Sequence, residues 1–129
     1  MRASPIWLLL LASEAALGQK ISASLDCKYA GKELVYDCVI RLNPPAQGVQ
    51  ITVGADMPSM PMAHNIGPVK ARPTQTPGEY RATLELEMTG EWAVKLRLAG
   101  ARRDQLVLHY EFDERGARAV TRTGKPARR

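Results

Sequence analysis

The 129-residue chain has few of the residues on which most enzyme sites depend, with only two cysteines and two histidines. No serine or cysteine has a candidate general base at a recognisable spacing, and no glycine-rich phosphate-binding loop occurs. The carboxylates Glu85, Glu87 and Glu91 fall on the polar phase of the surrounding sequence, which is typical of a solvated strand face. We therefore expect a protein that is not an enzyme.

Long apolar runs are also scarce, because no segment of membrane-spanning length follows the N-terminal region. Arg2 precedes an apolar run at 5–12, and small residues at 16–18 resemble the site that a signal peptidase cleaves. The run is too short to span a bilayer, and Glu14 follows it closely. The pattern predicts a cleaved secretory signal at 1–18 and a soluble periplasmic product. An uncleaved N-terminal anchor is the alternative.

The net charge of +5 is concentrated at the C-terminus, where lysine and arginine outnumber the acids in segment 113–129. This segment has no apolar periodicity and contains Gly116, Gly124 and Pro126, so we expect a disordered basic tail. A nucleic-acid-binding arm is the alternative interpretation. A solvated tail is favoured, because no aromatic residue lies among the charges and nucleic acid is not a usual partner of exported proteins.

Apolar and polar residues alternate through most of the region between these two segments. Alternation with a period of two residues is typical of strands that bury one face and expose the other. No helical period occurs, so we predict an all-β domain at 19–112: an immunoglobulin-like β-sandwich of six or seven antiparallel strands. An open barrel is the alternative. The alternating segments are 21–27, 34–42, 51–55, 80–88, 92–98 and 106–112, with a short strand added at 66–72.

The two cysteines lie on the apolar phase of consecutive predicted strands. A turn near residue 31 places Cys27 and Cys38 opposite or diagonal to each other on the same face. In an oxidising compartment such a pair usually forms a disulfide, which stabilises a small core. The alternative is a pair of thiols for metal or redox chemistry, but the spacing is not that of a CxxC motif.

The segment "DMPSMPMAHN" at 56–65 concentrates three of the five methionines and one of the two histidines. Its prolines remove backbone donors, so we expect an edge or a connecting loop rather than a central strand. In an extended conformation Met60, Met62 and His64 share one face, because side chains two residues apart point the same way. Met57 joins this set if the chain turns at Pro58.

Two thioethers and an imidazole form a soft donor set. Thioether sulfur binds Cu(I) far better than it binds zinc, calcium or magnesium, and imidazole suits copper in either oxidation state. The predicted ligands of a Cu(I) site are therefore Met60, Met62 and His64, with Met57 as an additional candidate. Methionine also fills irregular cores and forms adaptable contact surfaces, and in that alternative His64 is a surface residue.

The segments "MPSMPMAHN" and "PGEYRATLELEMTGEWAVKLRL" resemble the YtkA-like domain family over roughly residues 48–112. Members of that family are exported or membrane-anchored β-sandwiches that often accompany copper-handling and heavy-metal efflux systems. The resemblance implies a copper-associated accessory role carried by Met60, Met62 and His64. The Cu(II) site of copper-resistance carriers is not implied, because the predicted mature N-terminus has no histidine.

Two functions from different classes fit these observations. The first is a periplasmic Cu(I)-binding protein of copper handling or delivery, whose partners are the copper ion and a membrane-bound copper transporter, an efflux system or an oxidase assembly factor. The second is a metal-free interaction module that assists the assembly or regulation of an exported or membrane complex. Copper binding by the purified domain distinguishes them.

Overall fold

The computed structural model describes residues 20–60 and 65–120, and within them every regular element is a strand. None of the described residues forms a helix long and apolar enough to cross a membrane. The predicted signal at 1–18 lies outside the described residues. The strands are β1 Ser22–Tyr29, β2 Val35–Asn43, β3 Val49–Asp56, β4 Asn65–Lys70, β5 Arg72–Pro73, β6 Glu79–Glu85, β7 Gly90–Gly100, β8 Asp104–Asp113 and β9 Gly116–Ala119.

The strands form two antiparallel sheets, which confirms the predicted β-sandwich. One sheet has the order β1-β2-β6-β5 and the other the order β4-β3-β7-β8-β9. The inward positions recur every second residue, as the burial of β2 and β6 illustrates. Strands β5 and β9 raise the number in the described residues to nine, above the six or seven predicted.

The buried tyrosine and tryptophan side chains of the described residues form hydrogen bonds through their polar atoms. Trp92 is fully buried and its indole Nε1 donates to the carbonyl of Met88 at 3.1 Å. The ring of Tyr36 packs edge-on against Phe112 at 5.0 Å, and its hydroxyl donates to the carbonyl of Asp113 at 2.8 Å. These bonds offset the cost of burying polar groups and fix how the two sheets stack.

The sandwich has two ends, and the order of the strands decides which connections share each end. The β3–β4 connection lies at the same end as the β1–β2, β6–β7 and β8–β9 connections. We call this the methionine end. The β2–β3, β5–β6 and β7–β8 connections lie at the opposite end.

The predicted disulfide is confirmed. Cys27 and Cys38 are direct partners in the β1–β2 register, with their Cα atoms 4.0 Å apart and a sulfur–sulfur distance of 2.03 Å. Both side chains are buried in the core. Because both cysteines of the chain are in this bond, no thiol is available as a metal ligand.

Replacing both cysteines by alanine should lower the free energy of unfolding by about 2–5 kcal/mol, because the unfolded chain regains the entropy of a closed loop. The bond joins residues separated by 11 positions. Urea unfolding monitored by Trp92 fluorescence measures the change. Adding a reductant should destabilise the parent and leave the double variant unchanged; equal unfolding midpoints for parent and variant would contradict this account.

The prediction of a disordered tail starting at 113 is wrong for its first residues. Strand β9 pairs with β8 through Phe112–Ala117 and Glu111–Arg118, and the N–H of Val120 donates to the His109 carbonyl at 2.8 Å. The alternation is weak here because β9 carries small side chains, so backbone pairing rather than apolar pattern defines the strand. The sandwich therefore extends to residue 120, and segment 121–129 lies outside the described residues.

Gly116 explains why this hairpin can pack closely. Its φ of +122° is a conformation that favours glycine, and a Cβ atom there would lie 2.9 Å from the carbonyl oxygen of Cys27. The absence of a side chain lets β9 approach β1 and closes that side of the sandwich.

A chain ending at Asp113 should be less stable than the parent by about 1–3 kcal/mol, because it loses β9 and the cover over β1. A chain ending at Val120 is the matched control and should keep the parent stability, since it retains every described strand. Thermal and urea unfolding of the three chains measure the difference. If both shortened chains matched the parent, β9 would have no part in the fold's stability.

Candidate metal site

The methionine segment connects β3 to β4, as the sequence predicted. Its ends are held together because Asp56 and Asn65 are paired, and Ala55 pairs with Ile66 one step further. Strand β4 is an outer strand of the five-stranded sheet. The segment therefore leaves and re-enters the sandwich at one fixed place on the methionine end.

The first half of the connection is a tight turn. The N–H of Met60 donates to the carbonyl of Met57 at 3.0 Å, with Pro58 and Ser59 between them. Proline is favoured at the second position of such a turn because its φ is already fixed. The side chain of Met60 is 40% exposed and is one of two large exposed hydrophobic residues in the described part of the chain.

Met57 has the opposite environment, which corrects its assignment as a ligand. The chain does turn at Pro58, but the Met57 side chain is 4% exposed and belongs to the core. Its Cε atom lies 3.0 Å from the position that a Cβ on Gly90 would take. We therefore assign Met57 to packing.

The sequence contained the signal for this burial. Met57 continues the inward series of β3, which is formed by Val49, Ile51, Val53 and Ala55. A period of two residues places Met57 on the same face as these side chains. The spacing among the methionines alone does not show this phase, because it leaves out the preceding residues of β3.

Met62 and His64 lie outside the described residues, so their place in the site stays a prediction. The second histidine, His109, lies on β8 in the outward phase, between the inward-facing Leu108 and Tyr110. Its Nδ1 atom is 3.5 Å from the carboxylate of Glu91. His109 pairs with Ala93, which in turn pairs with Asp56, so two strand spacings separate it from the start of the connection.

The methionine end is rich in acids. Asp56 forms an ion pair with Lys95 at 2.8 Å. The backbone N–H of Arg115 donates to the carboxylate of Asp113 and, together with the side chain of Arg118, holds the pKa of that carboxyl below its usual value. Neighbouring cations therefore offset the charge of both carboxylates. Further acids in strand ends and connections here are Glu33, Glu85, Glu87 and Glu114.

The described residues contain no group of three or more histidine, cysteine, aspartate or glutamate side chains arranged to hold a metal. Of the residues predicted to bind copper, Met60 is exposed and Met57 is buried in the core. Met62 and His64 lie outside the described residues.

Residues 41–97 match the family model described as YtkA-like. The matched region begins in β2, ends in β7 and includes the whole β3–β4 connection. No curated protein and no solved structure matches the chain.

Proposed function

Because residues 41–97 match the YtkA-like family model, we propose that the protein is an exported Cu(I)-binding protein. Its metal site is the β3–β4 connection, with Met60, Met62 and His64 as ligands. The role is to hold and transfer copper rather than to catalyse a reaction.

The exposure of Met60 is the observation that supports this proposal best. An apolar side chain in water is unfavourable, and a gap-filling methionine would be expected inside the core. Met57 already fills the core beside Gly90 at this end of the sandwich. Met60 is 40% exposed and lies outside the buried core cluster, so its side chain is available to a metal ion.

The chemistry of the donors favours Cu(I) and a transferable ion. Thioethers are soft and neutral, and imidazole ligates in its neutral form. The charged thiolates that hold copper or zinc most tightly are absent from this site, because both cysteines are joined in the disulfide. A site built from neutral donors releases its ion to a stronger acceptor more readily than a thiolate site does.

The disulfide also supports the proposed location. Disulfides persist in oxidising compartments such as the periplasm and are rare in the cytosol. Together with the signal pattern at 1–18, this bond supports a periplasmic protein that loses its N-terminal segment. Its partners would then be a membrane-bound copper transporter, an efflux system or an oxidase assembly factor.

A competition titration against a chromophoric Cu(I) chelator tests the proposal. The mature protein should take up about one Cu(I) per chain and show little affinity for Zn(II), because thioethers discriminate by softness. Absence of Cu(I) uptake would overturn the proposal. The exposed methionine would then fit the alternative of a metal-free module that contacts another protein.

A further inference from the structure

The outer face of the five-stranded sheet carries a groove of about 320 Å³ beside the methionine connection. Gly54 of β3 forms its floor. Ile66 and Pro68 of β4 form one wall, and Lys95 and Arg97 of β7 line the other side. Ile66 pairs with Ala55 of β3, so the groove starts where the methionine connection returns to the sheet.

The fold does not require glycine at position 54. Gly54 is not among the glycines with a positive φ, and a Cβ there would lie 3.5 Å from the Ile66 carbonyl oxygen, an ordinary contact. Gly100 differs, because its φ is +91° and a Cβ would collide with the carbonyl of Gly48. A glycine inside a strand weakens it and often marks either a β-bulge or a place where another molecule approaches closely. The register of β3 against β4 shifts at Gly54, so this glycine also lies at a bulge. Gly54 keeps the groove open at a cost to the sheet.

The charges around the groove are not balanced within the sheet. Lys95 is paired with Asp56 at 2.8 Å, but Arg97 lies between Thr52 and Gln105, which are both neutral. Lys70 lies opposite Thr52 on the other side. Neither Arg97 nor Lys70 has an ion-pair partner among residues 20–60 and 65–120. Arg97 therefore lines the groove close to Pro68 with no ion-pair partner among the described residues, and Lys70 lies beside the groove.

We propose that this groove docks an extended acidic segment of the protein that exchanges Cu(I) with the methionine loop. An apolar side chain of the segment lies over Gly54 against Pro68. Its carboxylates face Arg97 and Lys70. The identity of the partner as a copper donor or acceptor rests on the function proposed above, whereas the docking itself does not.

The shape of the surface favours a peptide segment over a membrane. Arg97 lines a recess between strands instead of projecting from a loop, so a strand-like chain can reach it together with Pro68. A flat layer of lipid headgroups contacts protruding residues and leaves such a recess unfilled. Electrostatic complementarity of this kind also speeds the encounter of the two proteins.

The test uses the metal-free mature protein labelled with ¹⁵N and a synthetic peptide in which one leucine is flanked by glutamates. Amide shifts should change at Thr52, Gly54, Ile66 and Arg97, and a peptide with lysines in place of the glutamates should produce no change. Gly54→Leu fills the groove and Arg97→Glu reverses its charge. Each variant should weaken peptide binding at least about ten-fold.

Two variants serve as controls for added volume and for charge. Gly67→Leu adds the same side chain to β4 at a position with nothing within 4 Å of its Cβ, outside the groove. Arg81→Glu makes the same charge reversal on the other sheet. Both should bind the peptide as the parent does. If Gly54→Leu does not fold, Arg97→Glu still tests the docking proposal, because Arg97 is exposed and its substitution should not disturb the core.

The proposal is overturned if the peptide causes no shifts, if the shifts lie on the other sheet, or if the two controls weaken binding as much as Arg97→Glu. Shifts caused by phosphatidylglycerol vesicles but not by the peptide would also overturn it and assign the surface to lipid. Because the titration contains no copper, a negative result here leaves a positive Cu(I) titration standing.

Discussion

Replacing Met60, Met62 and His64 together by alanine should abolish measurable Cu(I) uptake and leave the sandwich folded. The replaced side chains lie in a connection, and the exposed Met60 makes little contribution to the core. Removing the soft donors leaves backbone oxygen and hard carboxylates, which bind Cu(I) poorly. The chelator competition measures uptake, and circular dichroism shows whether the β-sheet content is retained. Each single replacement should weaken uptake by about ten-fold or more.

Matched controls come from a methionine and a histidine outside the loop. Met88 follows β6 at the same end of the sandwich, where its side chain packs against the core. Met88→Ala should lower stability and leave Cu(I) uptake intact. His109→Ala should also leave uptake intact, because His109 lies two strands from Asp56. If the triple variant bound Cu(I) as well as the parent, the loop would not be the metal site.

Replacing Trp92 by alanine should lower the free energy of unfolding by about 3–5 kcal/mol, since a large buried side chain leaves a cavity. Trp92 is fully buried at the start of β7, two residues after Gly90. The substitution also removes the indole donor to the Met88 carbonyl. Urea unfolding followed by circular dichroism measures the change, because the variant lacks the fluorescent indole in the core.

Trp92→Phe separates the two contributions. Phenylalanine retains much of the buried ring but cannot donate to Met88, so we expect a loss of about 1–3 kcal/mol. The unfolding midpoint should therefore lie between those of the parent and Trp92→Ala. Equal losses for the two variants would mean that packing around the ring contributes little. A loss below about 1 kcal/mol for Trp92→Ala would contradict the assignment of Trp92 to the core.

The alternation of apolar residues was sufficient to predict the sandwich, because a period of two residues determines which side chains face inward. It also predicted that Cys27 and Cys38 share a face, and the register then places them directly opposite each other. Pairing between distant strands is not encoded in this local pattern. The sheet order, with β3 beside β7 and β2 beside β6, therefore became visible only in the structure.

Strand β9 was not predicted, because three of its four residues are glycine or alanine and give no apolar signal. Gly116 and Ala117 contribute by letting the backbone approach β1 and β8, and composition alone resembled a flexible tail. The groove at Gly54 was not predicted either, because it depends on which strands are neighbours. Its walls come from β4 and β7, and only the register shows that they flank the same glycine.

The candidate site was predicted in part. Proline content placed the methionine segment in a connection, and the paired residues Asp56 and Asn65 confirm that position. Spacing alone treated all the methionines of the segment alike. The structure separates Met57, which completes the inward series of β3, from Met60, which faces solvent.

X-ray absorption at the copper edge of the Cu(I)-loaded mature protein tests the central claim most directly, because it identifies the atoms bound to the metal. The account predicts sulfur scatterers from Met60 and Met62 together with an imidazole nitrogen from His64. The sulfur contribution should fall in Met60→Ala and Met62→Ala and stay unchanged in Met88→Ala. A spectrum with only nitrogen or oxygen neighbours, or one that these loop variants do not alter, would contradict the account.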